Sequence, residues 1–172
     1  MTKPLRVLSV ASEMYPFVKT GGLADVVGAL PAALRNQGIE VTSLIPGYRS
    51  ILPSKVSGDL VTIAEASSAS GLVLAANIPA AFDRAGGPYL DEQGKDYADN
   101  LARFSAFAQR GAEVAAGLYD SLPAFDVVHA HDWQAAGIVG HLHHLLKGKS
   151  IPTVFTIHNL AFQGRFGGEC VP

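Results

Sequence analysis

An α/β fold, a mostly parallel sheet flanked by helices with an inserted β-hairpin, is predicted by three observations. Apolar runs of strand length alternate with segments of helical spacing at both ends of the chain. The first such run reaches a short loop that delivers a paired glycine to the first turn of a helical segment. The runs also share one feature at their carboxyl ends, where polar residues gather: Glu13 and Lys19, then His131 and Asp132, then His158 and Asn159. In open parallel sheets ligands sit outside those ends. Three polar clusters are therefore predicted to meet on one edge of the sheet.

Leu5 to Ala11 reads as a buried or half-buried strand. From Leu23, apolar residues recur at Val26, Val27, Leu30 and Leu34, the spacing of a helix. Pro31 lies inside that pattern and predicts a kink or an early stop, with Gly38 ending the element. Glu40 to Ile45 is a second strand closed by Pro46-Gly47, so the chain opens as strand, helix, strand. Val56 to Ile63 and Gly71 to Ile78 are strand-like runs that can pair as the hairpin. The polar stretch Asp83 to Asp99 predicts a long loop, a length that usually signals function or disorder. Ala98 to Leu118 returns to helical spacing through Leu101, Phe104, Phe107 and Val114. The last third repeats the rhythm, with a strand at Phe125 to Ala130, a helix at Gln134 to Lys147 and a strand at Pro152 to Ile157.

Composition narrows the function classes. The 172 residues suffice for one domain with a real core, and are 48% apolar, 16% charged and of net charge -2. That balance gives no electrostatic case for nucleic acid or an anionic membrane as partner. No apolar run reaches the length of a membrane span, and Met1 to Arg6 has no signal-peptide layout. Cys170 is the only cysteine, so a disulfide within the chain is excluded and a cytoplasmic location is expected.

The glycine pair carries the first chemical candidate. Lys19-Thr20-Gly21-Gly22 delivers a helix start whose unpaired N–H groups and dipole favour an anion, with the lysine adding a full charge. A tight turn with a solvated lysine explains the same residues. His129-Ala130-His131-Asp132-Trp133 invites a zinc reading, completed by Asp132 or His158, and with it a metal-dependent hydrolase. Against that, such a site usually gathers more carboxylates. His129 also reads as a core histidine bonded to backbone, with His131 at the mouth of the cleft, where it can hydrogen-bond a sugar hydroxyl or a transferring group. Trp133 is a core anchor or a stacking surface for a sugar. His158 and Asn159 fall beside His131, although Asn159 also fits a helix cap. His141 and His144 share a helix face away from the strand ends. Gly148-Lys149-Ser150 is no phosphate loop, since the motif requires glycine where His143 stands. G-x-G-x-x-G is absent.

Six segments together are more specific. Lys19 to Pro31, Ile45-Pro46-Gly47-Tyr48, Gly87-Pro88-Tyr89, Lys95 to Asn100, His129 to Gln134 and Thr156 to Gly164 resemble, in order and spacing, the N-terminal signatures of bacterial glycogen synthases and plant starch synthases. The likeness runs from about Leu5 to Phe166. It implies a two-lobed glycosyltransferase, with two Rossmann-like domains facing across a cleft, that moves glucose from ADP-glucose to the non-reducing end of an α-1,4-glucan with retention at the anomeric carbon. On that likeness Lys19, with Gly21 and Gly22, sits by the diphosphate and His131 contacts the transferred glucose. Asp25, Tyr89, Asn100, His158 and Asn159 line the donor or acceptor side. The resemblance implies no metal and no cofactor; ADP-glucose is a substrate. It also implies that residues 1–172 form the N-terminal lobe alone, incomplete and without the second, nucleotide-binding lobe, and hence inactive in isolation. A non-catalytic glucan- or sugar-binding module is the alternative from another class.

Overall fold

A computed structural model describes residues 3–52 and 56–167; Cys170 lies outside them. Six strands form one sheet: β1 (Leu5–Val10), β2 (Ile39–Pro46), β3 (Leu60–Ala64), β4 (Leu72–Ala76), β5 (Val127–His131) and β6 (Thr153–Thr156). Their order is β3-β4-β2-β1-β5-β6, with every neighbouring pair parallel except β3 and β4. The expected hairpin is therefore present, but it is continuous with the sheet: β4 pairs parallel to β2 and β3 closes the edge.

Helix α1 (Gly22–Arg35) covers one face. Leu23 and Val27 pack there with Ala11, Met14, Ile45 and Val73. Helices α3 (Asn100–Ala115), α4 (Asp132–Ala136) and α5 (Ile138–Leu146) cover the other, together with the single turn α2 (Pro79–Phe82). Leu8, Val10, Leu44, Leu74 and Val128 enter that second core with Phe82, Phe104, Phe107 and Ile138. Successive residues such as Leu44 and Ile45 thus serve opposite layers, which is why the central strands read as unbroken apolar runs.

The early stop expected as one outcome at Pro31 does not occur, and the start of one later helix differs from expectation. Helix α1 does not stop at Pro31 but continues to Arg35, and Pro31 is buried in its apolar face. Packing against the sheet outweighs the missing N–H there. The turn then closes through Gly38, whose φ of 74° suits glycine and whose N–H reaches Arg35 O at 2.9 Å. The helix expected from Gln134 begins at Asp132 and is interrupted at Gly137, where a Cβ would lie 3.2 Å from Ala108 Cβ on α3. The polar stretch 83–99 is folded upon itself, with a bridge between Leu90 and Asp96 and a turn in which Asp91 accepts from the N–H groups of Gln93 and Lys95.

The strand order places the site. From β1 the chain moves outward through β2 and β4 on one side, then returns to build β5 and β6 on the other. The crevice at such a reversal, between the carboxyl ends of β1 and β5, is where an open α/β sheet leaves room for a ligand.

Candidate functional site

A cavity of about 830 Å³ opens at that reversal, within the range of small-molecule sites. Its wall is built by four segments: Glu13 with 20–23 and Val26, 87–90 with Asp96 and Asn100, 132–134, and 158–159 with Phe162. Of the residues expected at the site, Gly21, Gly22, Tyr89, Asn100, His158 and Asn159 line it together.

Glu13 organises the first wall. Its side chain is 3% exposed, yet the carboxylate is satisfied by donors from two distant segments. It accepts from Thr20 N–H, from Thr20 Oγ1 at 2.7 Å and from Gly21 N–H at 3.3 Å. Across the cavity Tyr89 donates its phenol to Glu13 Oε1 at 2.6 Å and meets Ser12 Oγ at 2.7 Å. Burial holds the Tyr89 phenol far above its usual range, so it remains a donor. Asn100 supports Tyr89 from behind, donating to its carbonyl at 3.0 Å and accepting from Arg103 at 2.6 Å. Two of the backbone N–H groups expected to await an anion, those of Thr20 and Gly21, are thus held by an internal carboxylate. The first turn of α1, beginning at Gly22, carries no side-chain cap.

Lys19, expected to lend its charge to this turn, is paired with Asp25. Lys19 Nζ lies 2.7 and 2.8 Å from the Asp25 carboxylate in an exposed pair, and neither residue lines the cavity. Two opposite charges six residues apart, at the start of one helix, satisfy each other.

The histidines form a row. His129 and His131 point to the same side of β5, ring centroids 4.0 Å apart, and His158 follows 5.2 Å beyond His131. His129 Nε2 meets Thr156 Oγ1 at 2.7 Å, so a neighbouring strand's hydroxyl takes the place of the expected backbone partner. His131 does not stand at the mouth of the cleft; it is 0% exposed. Its Nε2 meets Ser9 Oγ at 3.1 Å and its Nδ1 meets His158 Nε2 at 2.9 Å. Burial, with the other two imidazoles adding, pushes His131 down to about 3, and burial lowers His129 as well. His131 is therefore neutral at ordinary pH and acts from behind His158, the imidazole that reaches the cavity.

Asp132 fixes the same corner. Its φ of 55° is the left-handed region, which Asp tolerates better than most side chains. From there Oδ1 accepts the His158 N–H at 2.7 Å, tying the end of β6 to the end of β5. Asn159 caps a turn through Ala161 N–H at 2.9 Å, with no helix following among the described residues. Trp133 is both anchor and surface, since it packs edge-on against Phe104 at 5.3 Å while lining the cavity. Glu13 and Asp132 were visible as polar residues past strand ends, but only the fold reveals their tasks; Gln134, read as the start of a helix, also lines the cavity. No group of three His, Cys, Asp or Glu among the described residues could hold a metal ion, and the three imidazoles are engaged as above.

The family model described as "Starch synthase catalytic domain" matches residues 6–172. The chain belongs to the starch synthase catalytic domain family. Within that family it is 46% identical to the glycogen synthase of Rhizobium tropici and 42% identical to that of Novosphingobium aromaticivorans. Each likeness covers 98% of this chain and 37% of the relative, so the chain spans little more than a third of the curated proteins it matches. The solved catalytic domain of starch synthase IV from Arabidopsis thaliana, bound to ADP and acarbose, aligns over 93% of this chain and 35% of its own. The TM-score is 0.68 at 26% identity. Family membership thus agrees with the sheet order and with the cavity at its reversal.

Proposed function

We propose that this chain is the acceptor-side lobe of a retaining glucosyltransferase that moves glucose from ADP-glucose to the non-reducing end of an α-1,4-glucan, as in glycogen synthesis. The observation that carries the reading is the meeting of Tyr89, Trp133, His158 and the Gly21-Gly22 turn around one open cavity. Apolar faces beside a few fixed polar groups suit a sugar ring. Likeness to glycogen synthases supports the substrate class. ADP-glucose enters as substrate, the reading invokes no cofactor or metal, and it includes a cytoplasmic location and a second lobe as partner. No helix among the described residues is long and apolar enough to cross a membrane.

In this reading His158 is the catalytic imidazole, hydrogen-bonding a hydroxyl of the transferred glucose, which after transfer is the terminal residue of the glucan. Asp132 and His131 are positioning residues that hold its backbone and ring. The uncapped start of α1 faces the departing diphosphate, whose charge grows as the glycosidic bond breaks. Lys19 joins it by exchanging Asp25 for phosphate, a small expense because an exposed pair is worth about 1 kcal/mol or less. Turnover requires the second lobe, which excludes water from the reactive glucosyl group.

Titration calorimetry with a maltooligosaccharide tests the reading. The expected result is saturable binding, weakened about tenfold in His158→Ala, the equivalent of one lost hydrogen bond of about 1.4 kcal/mol. Absence of binding, or equal binding by the variant, would overturn it. Steady glucan elongation from ADP-glucose by residues 1–172 alone would refute the need for a second lobe.

A further inference from the structure

Behind the 86–88 segment lies a second pocket of about 260 Å³, lined by Arg49, Arg84 and Arg103 together with Tyr48, Ser50 and the glycines Gly86 and Gly87. Its charges do not balance. Arg49 pairs with Asp83 at 2.7 Å and Arg84 with Asp99 at 2.9 Å, which leaves three guanidinium groups against two carboxylates. Arg103 is the unbalanced one. It is 2% exposed, and among the described residues its bonds go only to the Ala81 and Pro88 carbonyls and to Asn100 Oδ1. Its Nη2 is buried with no partner among the described residues.

A buried cation is ordinarily matched by an anion, because removing it from water is costly. Phenyl rings supply part of the compensation, since the guanidinium lies 4.4 Å from the Tyr97 ring and 5.1 Å from that of Phe82. They supply no acceptor for Nη2. Further donors are at hand, because Arg49 uses only Nε and Nη2 and Arg84 only Nη1 and Nη2 toward described partners. Planar guanidinium forks on a shared concavity match the oxygens of a phosphate better than those of a single carboxylate.

We propose that this pocket is an oxyanion site that takes a phosphate group, either free or as the monoester of a small metabolite. It is separate from the sugar cavity, with which it shares only the Gly87-Pro88 wall. The volume exceeds what bare phosphate needs and leaves room for a short polyol.

Calorimetry on residues 1–172 in about 0.15 M chloride, titrating inorganic phosphate and separately glycerol 3-phosphate, tests the proposal. Saturable binding of either ligand is expected, weakened at least tenfold in Arg103→Lys and in Arg49→Gln/Arg84→Gln. Tighter binding of the monoester supports a metabolite as the occupant, and equal binding supports free phosphate. Should Arg103→Lys fail to fold, the double variant decides, read also as loss of the rise in Tm that phosphate gives the unaltered chain. No saturable heat with either ligand, or unchanged affinity in the folded variants, overturns the site.

Discussion

Glu13 is a buried carboxylate with four donors from three residues, and this makes it the fastener of the glycine turn. Gln keeps one acceptor oxygen but turns an NH₂ toward an N–H or O–H that already donates. Glu13→Gln is therefore expected to cost about 2 kcal/mol, the desolvation of stranded donors, read as a fall in the urea midpoint; an unchanged midpoint would mean the turn is held by something else. Gly28 is the second single position with a sharp requirement. A Cβ there would stand 2.6 Å from the Tyr15 carbonyl oxygen, where α1 passes under the 13–18 segment. Helix propensity alone favours alanine by about 1 kcal/mol. The clash is with backbone, which yields poorly, so Gly28→Ala is expected to destabilise by about 1–3 kcal/mol despite that preference. A more stable Gly28→Ala protein, by thermal melting, would contradict the close approach.

The strands and helices were readable because both their signals are local. Val7, Leu8 and Val10, or Leu23 and Val27, announce their element by spacing alone. What spacing does not carry is the partner of a polar side chain. Glu13 and Tyr89 are 76 residues apart, and Ser9 and His131 are 122 apart, so neither pair exists until β1, β5 and the 87–89 segment are assembled. His131 reads from sequence as a strand-end group facing outward, yet Ser9 below and His158 above enclose it. At Pro31 only the early stop fails, because a local breaker is overridden by burial of its face, while the end at Gly38 is where the sequence places it. The joint between β5 and β6 shows how one side chain can unite two elements. Asp132→Ala removes the acceptor of the His158 N–H. Faster amide exchange at His158 is expected, with exchange in the core of β1 unchanged; equal protection in both would show that the 158–162 segment is held elsewhere.

Across the molecule, the two histidines pushed down by burial make stability depend on pH. In the unfolded chain His131 takes up a proton near 6.5, whereas in the folded protein it does so only near 3. Between those values the unfolded state holds a proton that the native state lacks, so acid favours unfolding. The full stability is present above about pH 6.5 and falls by about 1.4 kcal/mol per pH unit below it, with His129 acting in the same direction. Urea unfolding at pH 7.5, 6 and 5 should show that slope, and His131→Gln should flatten it; a flat profile in the unaltered protein would contradict the burial. The sheet order itself puts the cavity at the reversal between β1 and β5, and the chemistry argued here depends on that cavity holding a sugar. A crystal structure of the protein with maltotriose bound would decide it. The expected result is a glucose ring against Trp133 with a hydroxyl in hydrogen-bond reach of His158; sugar bound elsewhere, with this cavity filled only by solvent, would contradict the account.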